Sequence, residues 1–115
     1  MSDTNQNNAS KAAYPIPVQF TGAVAATGSI LRITPMGIQF ETLSPVKPKD
    51  RLRLKWELPT NYKVCEVDAL VVKIYERFAS RINKEPVTLV EAHFREQTIE
   101  FNTLINTFLA KIGSQ

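Results

Sequence analysis

One cysteine, one histidine and one tryptophan are found among the 115 residues. The lone Cys65 excludes an internal disulfide framework and fits a reducing compartment, so the expected location is cytoplasmic. His93 and Cys65 together are too few ligands for a structural zinc site within one chain. No apolar run is long enough to span a bilayer. The opening stretch, Met1 to Ser10, is polar and Asn-rich, with no basic segment leading into an apolar one. It reads as part of a disordered leader over residues 1–13 rather than as a secretory signal. A Gly-rich phosphate loop, a nucleophile elbow and a paired-carboxylate motif are all missing, so the chain is read as a non-enzyme that requires no cofactor.

What is present suits one soluble globular domain over 14–113. Hydrophobic residues make up 43% and charged residues 22%, and a chain of this length buries a core without covalent staples. The net charge of +3 is modest. Its distribution is uneven: before Pro45 the only basic residues are Lys11 and Arg32, whereas ten fall between Lys47 and Lys84.

Tyr14-Pro-Ile-Pro leads in extended form towards a first strand over Val18 to Ala25, with Val18, Phe20, Gly22 and Val24 on one side. Ser29 to Thr34 and Ile38 to Thr42 form a hairpin, in which Pro35 presets φ and Gly37 supplies a backbone angle that a Cβ resists. Pro45 and Pro48 make the next stretch a loop. Arg51 to Leu58 alternates, with Leu52, Leu54, Trp56 and Leu58 on one face and Arg51, Arg53, Lys55 and Glu57 on the other. The apolar set of Tyr62 to Tyr75 changes phase near Leu70 to Val72, which predicts a bulge. Ala79 to Pro86 is a polar connection, and Val87 to Phe94 a strand with Val90, Ala92 and Phe94 inward. From Thr98 the period becomes helical, with Thr98 as N-cap and Gly113 as stop. Six short antiparallel strands and one terminal helix predict an all-β fold: a small six-stranded antiparallel barrel carrying a C-terminal helix.

The turn from Gly28 to Phe40 resembles the signature turn of the PilZ domain, the bacterial receptor module for cyclic di-GMP. That signature runs Asp or Asn, any residue, Ser, two residues, Gly; the matching positions here are Arg32, Thr34 and Gly37. Pro48 to Leu54, Val67 to Lys73 and Val90 to Phe94 resemble further stretches of the family in order and spacing. The resemblance implies a PilZ-like barrel and a regulatory role in motility, pili and surface attachment. Members that bind the nucleotide also carry two arginines separated by three residues before the first strand. The corresponding stretch here, Lys11-Ala-Ala-Tyr-Pro15, offers one lysine, a point charge without the planar fork that grips phosphate and stacks on guanine. At position 32 an acid accepts hydrogen bonds from guanine, whereas arginine has donors only. By motif position Lys11, Arg32, Thr34 and Gly37 are the candidate ligand residues. The expected function is that of a protein-binding adaptor with weak or lost nucleotide binding. A receptor with a non-standard site is the alternative, so cyclic di-GMP stays open as a ligand.

Two further surfaces are candidates. Lys49, Arg51, Arg53 and Lys55 form a basic row that could read an anionic patch, or else be a solvated strand face that discourages edge pairing. A barrel binding single-stranded nucleic acid is the rival reading; it is disfavoured because Trp56 falls on the apolar face, away from the charge. Phe101, Leu104, Phe108 and Ile112 on the helix are core residues, or, where a small barrel leaves them uncovered, a face for a regulatory protein or a second copy. His93 is expected on the outer face beside Glu91 and Arg95, and Cys65 as a small residue within a strand.

Overall fold

The computed structural model describes residues 13–22, 25–79 and 86–113, with the side chains of 76–79 and 113 left aside. Strands β1 (Ile16–Thr21), β2 (Ala25–Ile33), β3 (Gly37–Thr42), β4 (Arg51–Glu57), β5 (Val64–Ala79) and β6 (Pro86–Arg95) are followed by helix α1 (Ile99–Gly113). The strands close into an antiparallel barrel in the order β1-β2-β3-β6-β5-β4. This is the expected fold class.

Alternation builds the barrel. On β4, Leu52, Leu54 and Trp56 are buried while Arg51, Arg53, Lys55 and Glu57 are exposed. Each strand turns its apolar set inward in the same way, because closure leaves one inner face for all six. Ile30, Phe40, Leu54, Val71 and Val90 are fully enclosed. β1 begins two residues earlier than its pattern suggests. Pro17 lies inside it, registered against Ser29 of β2 and with no β4 partner. One side is thus open for a residue that lacks an N–H. The strand also ends earlier, at Thr21; Gly22 is exposed past its end and Ala25 opens β2. Val24 lies outside the described residues, as do 1–12 and most of the connection between β5 and β6. Ala13, placed by sequence in the leader, is buried in the core.

The predicted phase change in β5 is a register shift between Val71 and Lys73, and a second lies between Tyr75 and Phe78. A third, in β2 between Ile30 and Arg32, has no counterpart in the sequence reading. It inserts Leu31 as an extra residue, which is how Ile30 and Ile33, three apart, both point inward.

α1 starts as its sequence dictates. Thr98 Oγ1 accepts the N–H of Phe101 at 3.0 Å, Glu100 stands at the positive end and Lys111 at the negative end. Phe101, Ile105 and Phe108 are buried against the barrel, and Leu104, Leu109 and Ile112 pack half-exposed against the same core. The Phe101 ring meets Phe94 edge-on at 4.9 Å and Trp56 edge-on at 6.0 Å. Tyr14 reaches Phe108 edge-on at 6.3 Å, and its hydroxyl accepts the N–H of Ile33 at 3.1 Å. The helix is therefore a wall of the core.

Cys65 is buried, and burial pushes its thiol up to about 11. Burial likewise raises Tyr14, outweighing the Ile33 hydrogen bond and the Arg32 charge, which both lower it. A raised folded pKa means that the neutral form belongs to the fold. The corresponding stability is complete below the ordinary thiol pKa of about 8.5 and is lost as pH rises through about 11. At about 1.4 kcal/mol per unit, Cys65 accounts for roughly 3–4 kcal/mol of alkaline destabilisation. Denaturant melts between pH 8 and 11 should show Cys65→Ala losing less stability with pH than the native chain. Parallel profiles would contradict this assignment.

Candidate functional site

The signature turn joins β2 to β3 and is held by the Thr34 hydroxyl. Its Oγ1 accepts the N–H of Gly37 at 3.1 Å and of Met36 at 3.2 Å, and lies 3.3 Å from the Gly37 carbonyl, to which it donates. The Thr34 N–H donates to the same carbonyl at 2.9 Å. The hydroxyl at this position is consumed in closing the turn. Gly37 has a different role from the one its sequence suggests. No described glycine has a positive φ, so no special backbone angle is being met. Instead a Cβ on Gly37 would overlap the carbonyl oxygen of Ala92 and lie 3.0 Å from His93 Cα. The residue is small because β3 and β6 approach closely there.

The register then composes the site. Arg32 stands opposite Gln39, Gln39 opposite Glu91, and Gly37 opposite His93. Arg32, Thr34, Gly37, Gln39, Glu91 and His93 line one outer depression of about 250 Å³. Three of the four candidate ligand residues thus come together; Lys11 lies outside the described residues. The volume is below the roughly 300–1,000 Å³ of ordinary ligand pockets. Its described lining sets one guanidinium against one carboxylate, Glu91. Gln39, Glu91 and His93 entered through the β3–β6 pairing, which joins segments some fifty residues apart and leaves no local trace in the sequence.

A latch ties this turn to the helix. Gln97 Nε2 donates to the Pro35 carbonyl at 3.3 Å and to Asn102 Oδ1 at 3.0 Å. The Phe94 N–H donates to the Met36 carbonyl at 2.8 Å. The turn is thereby tethered both to the end of β6 and to the first turn of α1.

The basic row is less basic than its sequence. Lys49, Arg51, Arg53 and Lys55 are all exposed. Arg53, however, bonds Glu66 at 3.2 Å and Asp68 at 2.9 Å across β5. These two carboxylates, Asp68 first, raise its pKa further. Such exposed pairs add at most about 1 kcal/mol, but they remove one of the four charges from service. Lys49 sits on the loop before β4 with φ 77°. Trp56 is 3% exposed and stacks on Phe94 at 6.1 Å, so this ring is not a platform for bases.

The helix stripe divides. Phe101 and Phe108 are 4% and 1% exposed. As members of an uncovered docking face they are therefore corrected to core, since the barrel end covers them. Leu104 and Ile112 keep a half-exposed edge. Among the described residues no group of three His, Cys, Asp or Glu is placed to hold a metal ion, and no helix is long and apolar enough to cross a membrane.

No protein-family model matches the chain, and no curated protein matches it. Solved structures do. The PilZ domain with c-di-GMP of YcgR from Escherichia coli superposes with a TM-score of 0.71 at 12% identity, over 87% of this chain and 82% of that one. MrkH of K. pneumonia in its apo state gives 0.73 at 13% identity over 88% of this chain. A further MrkH structure, described as a c-di-GMP-dependent transcription regulatory factor, gives 0.69 at 14% identity. The chain spans about half of MrkH, 47%. At these identities the likeness is one of fold, and by fold the chain is a PilZ-like barrel.

Proposed function

We propose that this chain is a regulatory domain of cyclic di-GMP signalling that acts as a protein-binding adaptor, with weak or lost affinity for the nucleotide itself. The fold supports the signalling context: the YcgR neighbour is a PilZ domain with c-di-GMP, and MrkH is described as c-di-GMP-dependent. The observation that carries the adaptor half is the chemistry at position 32. Arg32 lies where the signature has a hydrogen-bond acceptor, and a guanidinium accepts nothing. The neighbouring hydroxyl, on Thr34, is spent on its own turn. A shallow hollow with one cation and one carboxylate is a poor host for two phosphates and two guanines.

The adaptor role is tested in cells. The full chain, tagged, is used for cross-linking capture in its source bacterium, once with cyclic di-GMP depleted by an added phosphodiesterase and once with it raised by a cyclase. The same protein partner should be captured in both states. A partner captured only at raised nucleotide would favour the receptor with a non-standard site, in which Arg32 meets a phosphate.

A further inference from the structure

The outer face of β4, β5 and β6 joins Arg51 of the basic row and Met36 of the signature turn to residues that belong to neither. Arg51 of β4 is registered against Leu70 of β5, and Leu70 against His93 of β6. One row away, Arg53 opposes Asp68 and Asp68 opposes Arg95. Two hollows share this ground. The first, about 470 Å³, runs from Thr21 over Arg51 and Leu70 to Arg95. The second, about 300 Å³, continues from Leu70 and Arg95 to Val72 and Met36. Leu70 and Arg95 line both, so the two form one continuous groove.

Its chemistry is mixed in an informative way. The floor is apolar: Met36 is 66% and Val72 40% exposed, with Leu70 half-buried between them and the arginines. Large apolar side chains open to water side by side mark a contact surface more often than scattered ones do. The flanks carry Arg51, Arg53 and Arg95, against the carboxylates Asp68 and Glu96. Among the described residues Arg53 is the cation of this face joined to carboxylates, while Arg51 and Arg95 form no ion pair. Arg53 is held in place by Glu66 and Asp68. The two free guanidinium groups flank an apolar strip, and arginine with exposed aliphatic side chains is the composition of a protein contact patch. Nucleic acid would need stacking surfaces, and the aromatic Trp56 of the same strand points inward.

We infer that this groove binds an acidic, apolar segment of a partner protein, its carboxylates on Arg51 and Arg95 and its apolar side chains on Leu70, Val72 and Met36. The inference rests on the adaptor reading and names the face and the chemistry of its partner. Met36 belongs to the signature turn, and the Gln97 latch connects that turn to α1. Occupation of the groove would therefore be felt at the turn and at the helix start.

The test is selection of a random dodecapeptide library on the immobilised full chain, followed by fluorescence anisotropy with the enriched peptides. Enrichment of sequences that combine Asp or Glu with Leu, Ile or Phe is expected. Their affinity should fall about tenfold or more in Arg51→Glu/Arg95→Glu and in Val72→Asp, and stay unchanged in Lys63→Glu, which lies off this face. All three variants carry surface changes and should melt like the native chain. A basic version of the best peptide should gain affinity for the charge-reversed variant. Failure to enrich any peptide, enrichment without acidic residues, or affinity indifferent to charge reversal would overturn the inference. If cellular capture nevertheless succeeds at low nucleotide, the adaptor reading stands and only this face is wrong.

Discussion

Gly37→Ala should lower stability by roughly 3 kcal/mol, among the largest single-residue effects expected in this chain. The reason is steric and lies between strands. The new methyl would overlap the Ala92 carbonyl oxygen and press on His93 Cα, and all the atoms it meets are backbone. A flexible side chain could turn aside, but β6 is paired on both sides, with β3 and with β5. Relief would require opening the β3–β6 ladder, which carries six registered pairs from Gly37–His93 to Thr42–Thr88. For a chain of this size each kcal/mol moves the melting temperature by about 4–8 °C, so the variant should melt roughly 12–24 °C below the native chain. A variant that melts within a few degrees would mean that the strands are less closely apposed than described. Were Gly37 needed only for its turn angle, Asn would rescue it, since Asn tolerates the left-handed region. A close-contact role makes Gly37→Asn at least as damaging as Gly37→Ala.

Phe101→Ala should cost about 3–5 kcal/mol, the range for emptying a buried aromatic site. Phe101 closes a trio with Trp56 and Phe94, so its removal leaves two rings facing a void at the barrel end. Neither the Thr98 cap nor the helix ends would be altered, so the loss reports packing and not helix propensity. Urea unfolding should show the lower midpoint without a change of slope. A surface role would give the opposite pattern, with near-native stability and lost partner binding. Leu104→Ala, at a half-exposed position, should be considerably milder.

These two residues also show where the sequence was readable. The alternation of Arg51 to Glu57 and the helical period from Phe101 to Ile112 each arise within one element, where a half-buried strand and an amphipathic helix impose their own periods. The barrel class followed from the number and spacing of such strands. The break in β5 was visible because its apolar phase changes over Leu70 to Val72. The bulge at Leu31 was not, because one extra residue in a short strand leaves Ile30 and Ile33 looking like ordinary neighbours of a turn. Gly37 was legible as necessary but not for its reason, which is Ala92, far along the chain. The same holds for the depression: Arg32 and Thr34 were marked by motif position, while Gln39, Glu91 and His93 join them only through strand register. Arg53 looked like a free cation until β5 placed Glu66 and Asp68 beside it.

The charge row and the helix stripe share a lesson. Exposure can be guessed from period, but partnership cannot, since it depends on which strands pair. The β4–β5 pairing joins Arg53 to two carboxylates and leaves Arg51 without one among the described residues, and the seating of α1 on the barrel end brings Phe108 to Tyr14.

The central claim, that the signature turn of this chain no longer hosts the nucleotide, is tested most directly by calorimetric titration of the full chain with cyclic di-GMP at moderate salt. No saturable heat is expected up to high micromolar nucleotide. A dissociation constant in the micromolar range or tighter, lost in Arg32→Ala, would contradict it and make the chain a nucleotide receptor.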